Sequence, residues 1–201
     1  MLFNAIRIAL LILLIIVLVL IIRKSKFKQN KALLIMASVF CIILVTVFSM
    51  FPIENLFINY KSPESVFGYA KTGTIYEIIY GNDSSLVIYR EANGSYSHYI
   101  VPKTTKGYKI PNYFTESKII HNFNDDGVFE VYNVKGTEDY YIFGSVNFNG
   151  NSDSVSVFDS SNEKIKCPII RIKNTNFVFI FLPTFSDDYY LMINGEQVPI
   201  A

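Results

Sequence analysis

The sequence predicts an α-helical transmembrane hairpin followed by a mainly-β domain, an antiparallel sandwich or immunoglobulin-like, with one short helix. Three observations predict it. Residues 8–22, "IALLILLIIVLVLII", and 32–51, "ALLIMASVFCIILVTVFSMF", are long apolar runs. The connector between them carries Arg23, Lys24, Lys26, Lys28 and Lys31 and no acid. From residue 74 onward Tyr, Phe, Ile and Val recur in runs of strand length, punctuated by Asn93-Gly94, Asn149-Gly150 and Asn194-Gly195.

A bilayer core takes about twenty apolar helical residues, which both runs approach. Neither has an ionisable side chain at its centre, so neither has the look of an ion path. The first run is not read as a cleaved leader, because its positive charge follows it and no small-residue cleavage site comes after Ile22. Basic residues in short loops stay on the cytoplasmic side. The five cations of the connector therefore place it inside, and the chain is expected to be a multi-pass protein of the cell membrane with both termini extracytoplasmic.

This gives a two-helix anchor over 1–51, a juxtamembrane tether over 52–61 and an extracytoplasmic β-rich domain over 62–201, with a possible sub-boundary near 124–127. Phe51, Phe57 and Tyr60 fit an aromatic belt at the interface. Ser62, Pro63 and Glu64 form a helix start: a capping hydroxyl, a ring with preset φ and an acid in the first turn. Val66, Phe67 and Ala70 give that helix an apolar face, suited to covering one end of a sheet. The Asn-Gly pairs predict two-residue hairpins, since both residues adopt positive φ. "FVFIFL", 177–182, is apolar on both faces and predicts a central strand. Pro199 fits an edge strand only.

Charge divides the chain. Residues 1–51 carry +6 and residues 52–201 carry −5, so the net +1 averages a basic head and a mildly acidic body. An acidic body excludes nucleic acid as a partner. Cys41 and Cys167 fall in different regions and do not predict a disulfide framework.

Candidate sites are sparse. Asn122, Asn124, Asp126 and Gly127 have an oxygen-ligand rhythm, but Asn133 stands where a calcium loop needs a bidentate Glu, so a turn is the better account. His98 and His121 are the two histidines, and zinc needs three or four ligands. Neither a GxSxG elbow nor a glycine-rich phosphate loop is present, and Cys167 has no local activator. No catalytic residue, metal or cofactor is predicted. Tyr140-Tyr141 and Tyr189-Tyr190 point to opposite strand faces, so one of each pair is a candidate for an exposed contact surface.

"FPIENLFINYKSPESVFGY", "GSYSHYIVP" and "GYKIP" resemble the start of uncharacterised small membrane proteins of low-GC Gram-positive bacteria. The resemblance implies two N-terminal helices and an extracytoplasmic β-rich domain, and no activity. The expected function is a membrane-anchored, extracytoplasmic binding or protein-interaction module. Its expected partners are the lipid bilayer and another membrane or cell-surface protein or a cell-wall glycan. The alternatives are an extracytoplasmic hydrolase or metal-dependent enzyme, and an accessory subunit of a membrane transport or secretion complex. A deep pocket joining His98 or His121 to carboxylates would favour the enzyme.

Overall fold

The computed structural model describes residues 9, 12–13, 15–17, 20, 31–124, 127–147, 157–158, 163–165, 167–172, 175–186, 189–193 and 196–200. These comprise α1 (Lys31–Met50), a 3-10 turn (Ile53–Leu56), α2 (Pro63–Ala70) and twelve strands.

The expected transmembrane hairpin is corrected. Among the described residues no helix is long and apolar enough to cross a membrane. Crossing needs about twenty consecutive apolar helical residues. Of the first expected span only scattered residues are described. The helix holding the second opens on Lys31, and its described side chains are those of 35–47 and Met50. The multi-pass membrane location with both termini extracytoplasmic rested on that hairpin and is corrected with it. Of the connector residues expected to orient the hairpin, Arg23, Lys24, Lys26 and Lys28 lie outside the described residues, and Lys31 is the first residue of α1. The end of α1 is tied to the β region, where the Tyr113 amide donates to the Met50 carbonyl at 3.2 Å.

The β region is a stack of layers. The first sheet is the meander β1 (Thr74–Tyr80), β2 (Ser84–Arg90), β3 (Tyr96–Thr104) and β4 (Gly107–Tyr108). The second has the order β5-β6-β7-β10-β9, from Glu116–Asn124, Gly127–Val134, Tyr140–Asn147, Thr175–Leu182 and Ile169–Ile172. The third is β12 (Glu196–Pro199), β11 (Tyr190–Ile193) and β8 (Val157–Phe158). Every pairing between named strands is antiparallel. In none of these sheets does a fourth strand return beside the first, so the immunoglobulin-like Greek key is not formed among the described residues. At the suggested sub-boundary Asn124 of β5 pairs with Gly127 of β6, and both strands are neighbours in the second sheet.

Period-two alternation builds three apolar layers. On β2, Val87 and Tyr89 face one way and, with Val101 and Ile110, receive Val66 and Phe67 of α2. Leu86 and Ile88 face the other way and, with Ile100, meet Val134, Tyr141, Phe143, Ile170 and Phe179 of the second sheet. The far side of that sheet, Phe129, Val131, Ile142, Val178, Ile180 and Leu182, packs on Tyr189 and Ile200 beside the third. Strand β10 is thus apolar on both faces because both faces are covered, and it lies between β7 and β9. Each fully buried side chain of this size is worth about 1.5–3 kcal/mol over its exposed state.

Local signals explain the borders. The Ser62 hydroxyl accepts from the Ser65 amide at 3.4 Å, with Pro63 opening α2. The hairpin at Asn93-Gly94 is longer than two residues. Glu91 N donates to Ser95 O at 2.8 Å and Gly94 N to Glu91 O at 2.9 Å, while Gly94 adopts φ 87°. Asn93 Oδ1 accepts from the Ser95 amide at 2.8 Å, so the asparagine makes an Asx turn beside the left-handed Gly94. The hairpins at 149–150 and 194–195 lie outside the described residues. Pro199 is on β12, an edge strand. Register shifts fall between Ile75 and Glu77 and between Lys118 and Ile120, both on edge strands, where bulges discourage pairing with another chain.

Candidate functional site

The structure does not bring the four tyrosines together at a surface. Tyr141 is fully buried and Tyr189 nearly so. Tyr140 is half-buried against Phe185, ring centroids 5.8 Å apart, and Tyr190 is half-buried on β11. Tyr141 instead belongs to a buried polar latch that sequence reasoning missed. Asp139, with no exposed surface, accepts from the amides of Asn82 (3.1 Å) and Asp83 (2.9 Å) and from Ser84 Oγ (2.5 Å). The Ser84 hydroxyl also bonds Tyr141 OH at 2.9 Å. These contacts pin the β1–β2 turn to the second sheet. Burial pushes the Tyr141 phenol well above its ordinary range.

His98 lies between the two large sheets. Its ring stacks on Phe143 at 3.8 Å and meets the edge of Tyr132 at 5.5 Å. Burial pulls its pKa down to about 4, against a partial pull upward by Glu130, while the charges of Lys118 and Lys71 add to the lowering. The ring is therefore neutral near pH 7. His98, Ser97, Glu130 and Ser145 line a pocket of about 220 Å³ with Phe143 and Phe179. Glu130 accepts from Lys118 at 2.5 Å and from Tyr132 OH at 2.9 Å. The His121 side chain lies outside the described residues. Cys167 is packed beside the third core layer, and burial pushes its thiol up to about 12, far from thiolate chemistry. Asn122 and Asn124 are on β5 and Asn133 is on β6, so the calcium-like spacing falls on paired strands, with Asp126 outside the described residues. Among the described residues no group of three His, Cys, Asp or Glu side chains is placed to hold a metal ion.

Two larger cavities flank Ile110. The first, about 720 Å³, lies between the end of α2 and the β2–β3 hairpin and is lined by Lys71, Thr72, Tyr89, Glu91, Asn93 and Tyr99 among others. Its polar groups are held in place. Lys71 Nζ sits 5.1 Å over the Tyr99 ring. The Glu91 carboxylate accepts from Asn93 Nδ2 at 3.4 Å, while Ser95 Oγ donates to Asn93 Oδ1 at 2.6 Å. The second, about 550 Å³, is lined by Lys103, Lys109 and Lys135 with Asn55, Asp83 and Phe114 among others. Neither was legible beforehand, because each assembles residues from chain segments far apart. The one local hint was the Asn-Gly turn flanked by Glu91 and Ser95, which marks a structured loop without naming its opposite wall.

No family model, curated protein or solved structure matches this chain.

Proposed function

We propose that the β region is a binding module, with its ligand seated in the cleft over Tyr89 and Tyr99. The observation that carries this reading is the placement of opposite charges around one cleft: Lys71 over the Tyr99 ring, and Glu91 on the β2–β3 hairpin. A cavity of about 720 Å³ is within the range that takes small ligands. Lys71, Thr72, Glu91 and Asn93 supply donors and acceptors for hydroxyls, with the Lys71 ammonium resting on the Tyr99 ring that it covers. We therefore assign a glycan as ligand class. Titration of the full chain with chitin-type oligosaccharides and soluble peptidoglycan fragments tests this. The expected result is binding that Tyr99→Ala weakens about tenfold, roughly 1.4 kcal/mol, with the circular dichroism spectrum unchanged. Silence across the glycans, or equal binding by Tyr99→Ala, would sink the reading.

A second reading, a hydrolase, draws on the pocket that places His98 with Glu130, Ser97 and Ser145. A histidine with a pKa near 4 is neutral as a base must be, but a weak one. Hydrolysis of an activated ester by the wild type and not by His98→Gln would support it. Equal rates in the two would remove it.

A further inference from the structure

We propose that the lysine-lined groove on the other side of Ile110 docks a short acidic segment of a partner protein, one that also carries aromatic or aliphatic side chains. The inference goes beyond the glycan cleft and does not depend on it.

Charge is the first argument. Residues 52–201 carry −5, yet three lysines and one aspartate line this groove. The local sign is reversed against the body, so an anionic segment is drawn here and repelled elsewhere. The lysines differ in freedom. Lys109 Nζ donates to the carbonyls of Asn55 and Ile58, which fixes its charge at the base of the groove. Lys135 Nζ sits 5.6 Å over the Phe114 ring, and Lys103 and Lys135 are both exposed.

The wall is rigid. Asn55 donates through Nδ2 to the Ile110 carbonyl at 2.7 Å and accepts from the Ile110 amide at 2.9 Å. That pair binds the 3-10 turn to the strand-like segment after β4. The turn and the facing loop then hold apolar side chains out to solvent: Leu56 is 78% exposed, Phe57 83%, Tyr113 74% and Phe114 43%. Phe114 lines the groove, and Leu56 directly follows Asn55, which also lines it. Exposed apolar groups rimmed by polar ones mark an interaction surface. Their identity selects the partner. Leu56, next in sequence to the lining residue Asn55, has no ring face for a sugar to stack on and matches an aliphatic side chain of a peptide.

The probe is a fluorescent synthetic peptide of alternating Glu and Phe, titrated into the full chain by anisotropy at low and physiological salt. A Gln-for-Glu version of the peptide, dextran sulfate and anionic phospholipid vesicles are run beside it. Saturable binding that weakens with salt is expected. Lys135→Glu should weaken it about tenfold, roughly 1.4 kcal/mol, while Lys164→Glu, with the same change in net charge, leaves it within about twofold. Tyr113→Ser should weaken it as well, and its far-UV spectrum reports whether the fold is kept. Lys103→Gln supplies a second charge probe if that variant unfolds. The proposal is overturned by absence of saturable peptide binding, by equal effects of Lys135→Glu and Lys164→Glu, or by undiminished binding of the Gln peptide. Binding of dextran sulfate or vesicles in place of the peptide overturns it too.

Discussion

At the scale of single residues, His98 and Asp139 are two polar side chains that the sandwich tolerates for opposite reasons. His98 is kept neutral by burial, with its pKa lowered to about 4. As pH falls below about 6.5 the unfolded chain takes up a proton that the folded chain refuses. Stability attributable to this residue is therefore whole above about 6.5 and declines toward about 4, by roughly 2–4 kcal/mol in all. His98→Phe keeps a ring against Phe143 and should flatten that part of the acid limb in urea titrations. An identical slope in wild type and variant would refute the assignment. Asp139 is buried with three donors aimed at it. Asp139→Ala leaves those donors unpaired and should cost about 3 kcal/mol, seen as a lower urea midpoint. A loss under about 1 kcal/mol would mean that water replaces the carboxylate.

At the scale of elements, β7 is tightly constrained, because it carries the latch at one end and packs on both faces. A Cβ on Gly144 would stand 2.5 Å from Phe129 Cε1 and 2.9 Å from Val178 Cγ2. Both neighbours have no exposed surface and cannot swing aside. Gly144→Ala is expected to destabilise by about 1–3 kcal/mol through overpacking. A neutral result in thermal unfolding would show that β6 and β10 can part to admit a methyl group. The start of α2 was legible in "SPE", since capping acts within one turn. The tyrosine pairs were legible only in part. Tyr140 and Tyr141 do point to opposite faces of β7, as alternation requires. What alternation could not supply is that a sheet covers each face, so neither residue stands fully exposed.

At the scale of the whole molecule, the first and second sheets share one core, in which Leu86, Ile88 and Ile100 meet Tyr141, Phe143 and Phe179. The two sheets should therefore unfold together. Leu86→Ala is expected to cost about 2–5 kcal/mol and to shift tyrosine fluorescence and far-UV circular dichroism by the same amount. Two separated transitions would show that the sheets are independent units. The sequence by itself determined the β texture after residue 74, the helix start at Ser62, helix over most of the run at 32–51 and the burial of both faces of "FVFIFL". Each of these depends on torsions and periodicities spanning a few residues. Only the tertiary structure decided that the apolar N-terminal runs yield no membrane span among the described residues, that Tyr141 and Tyr189 are the buried members of their pairs, and where the cavities lie. Lys71 and Glu91, or Lys103 and Lys135, share a cavity because sheets and turns bring distant segments together. Side-chain exposure is set by what packs above a strand, and that is a property of contacts between elements rather than of the local chain.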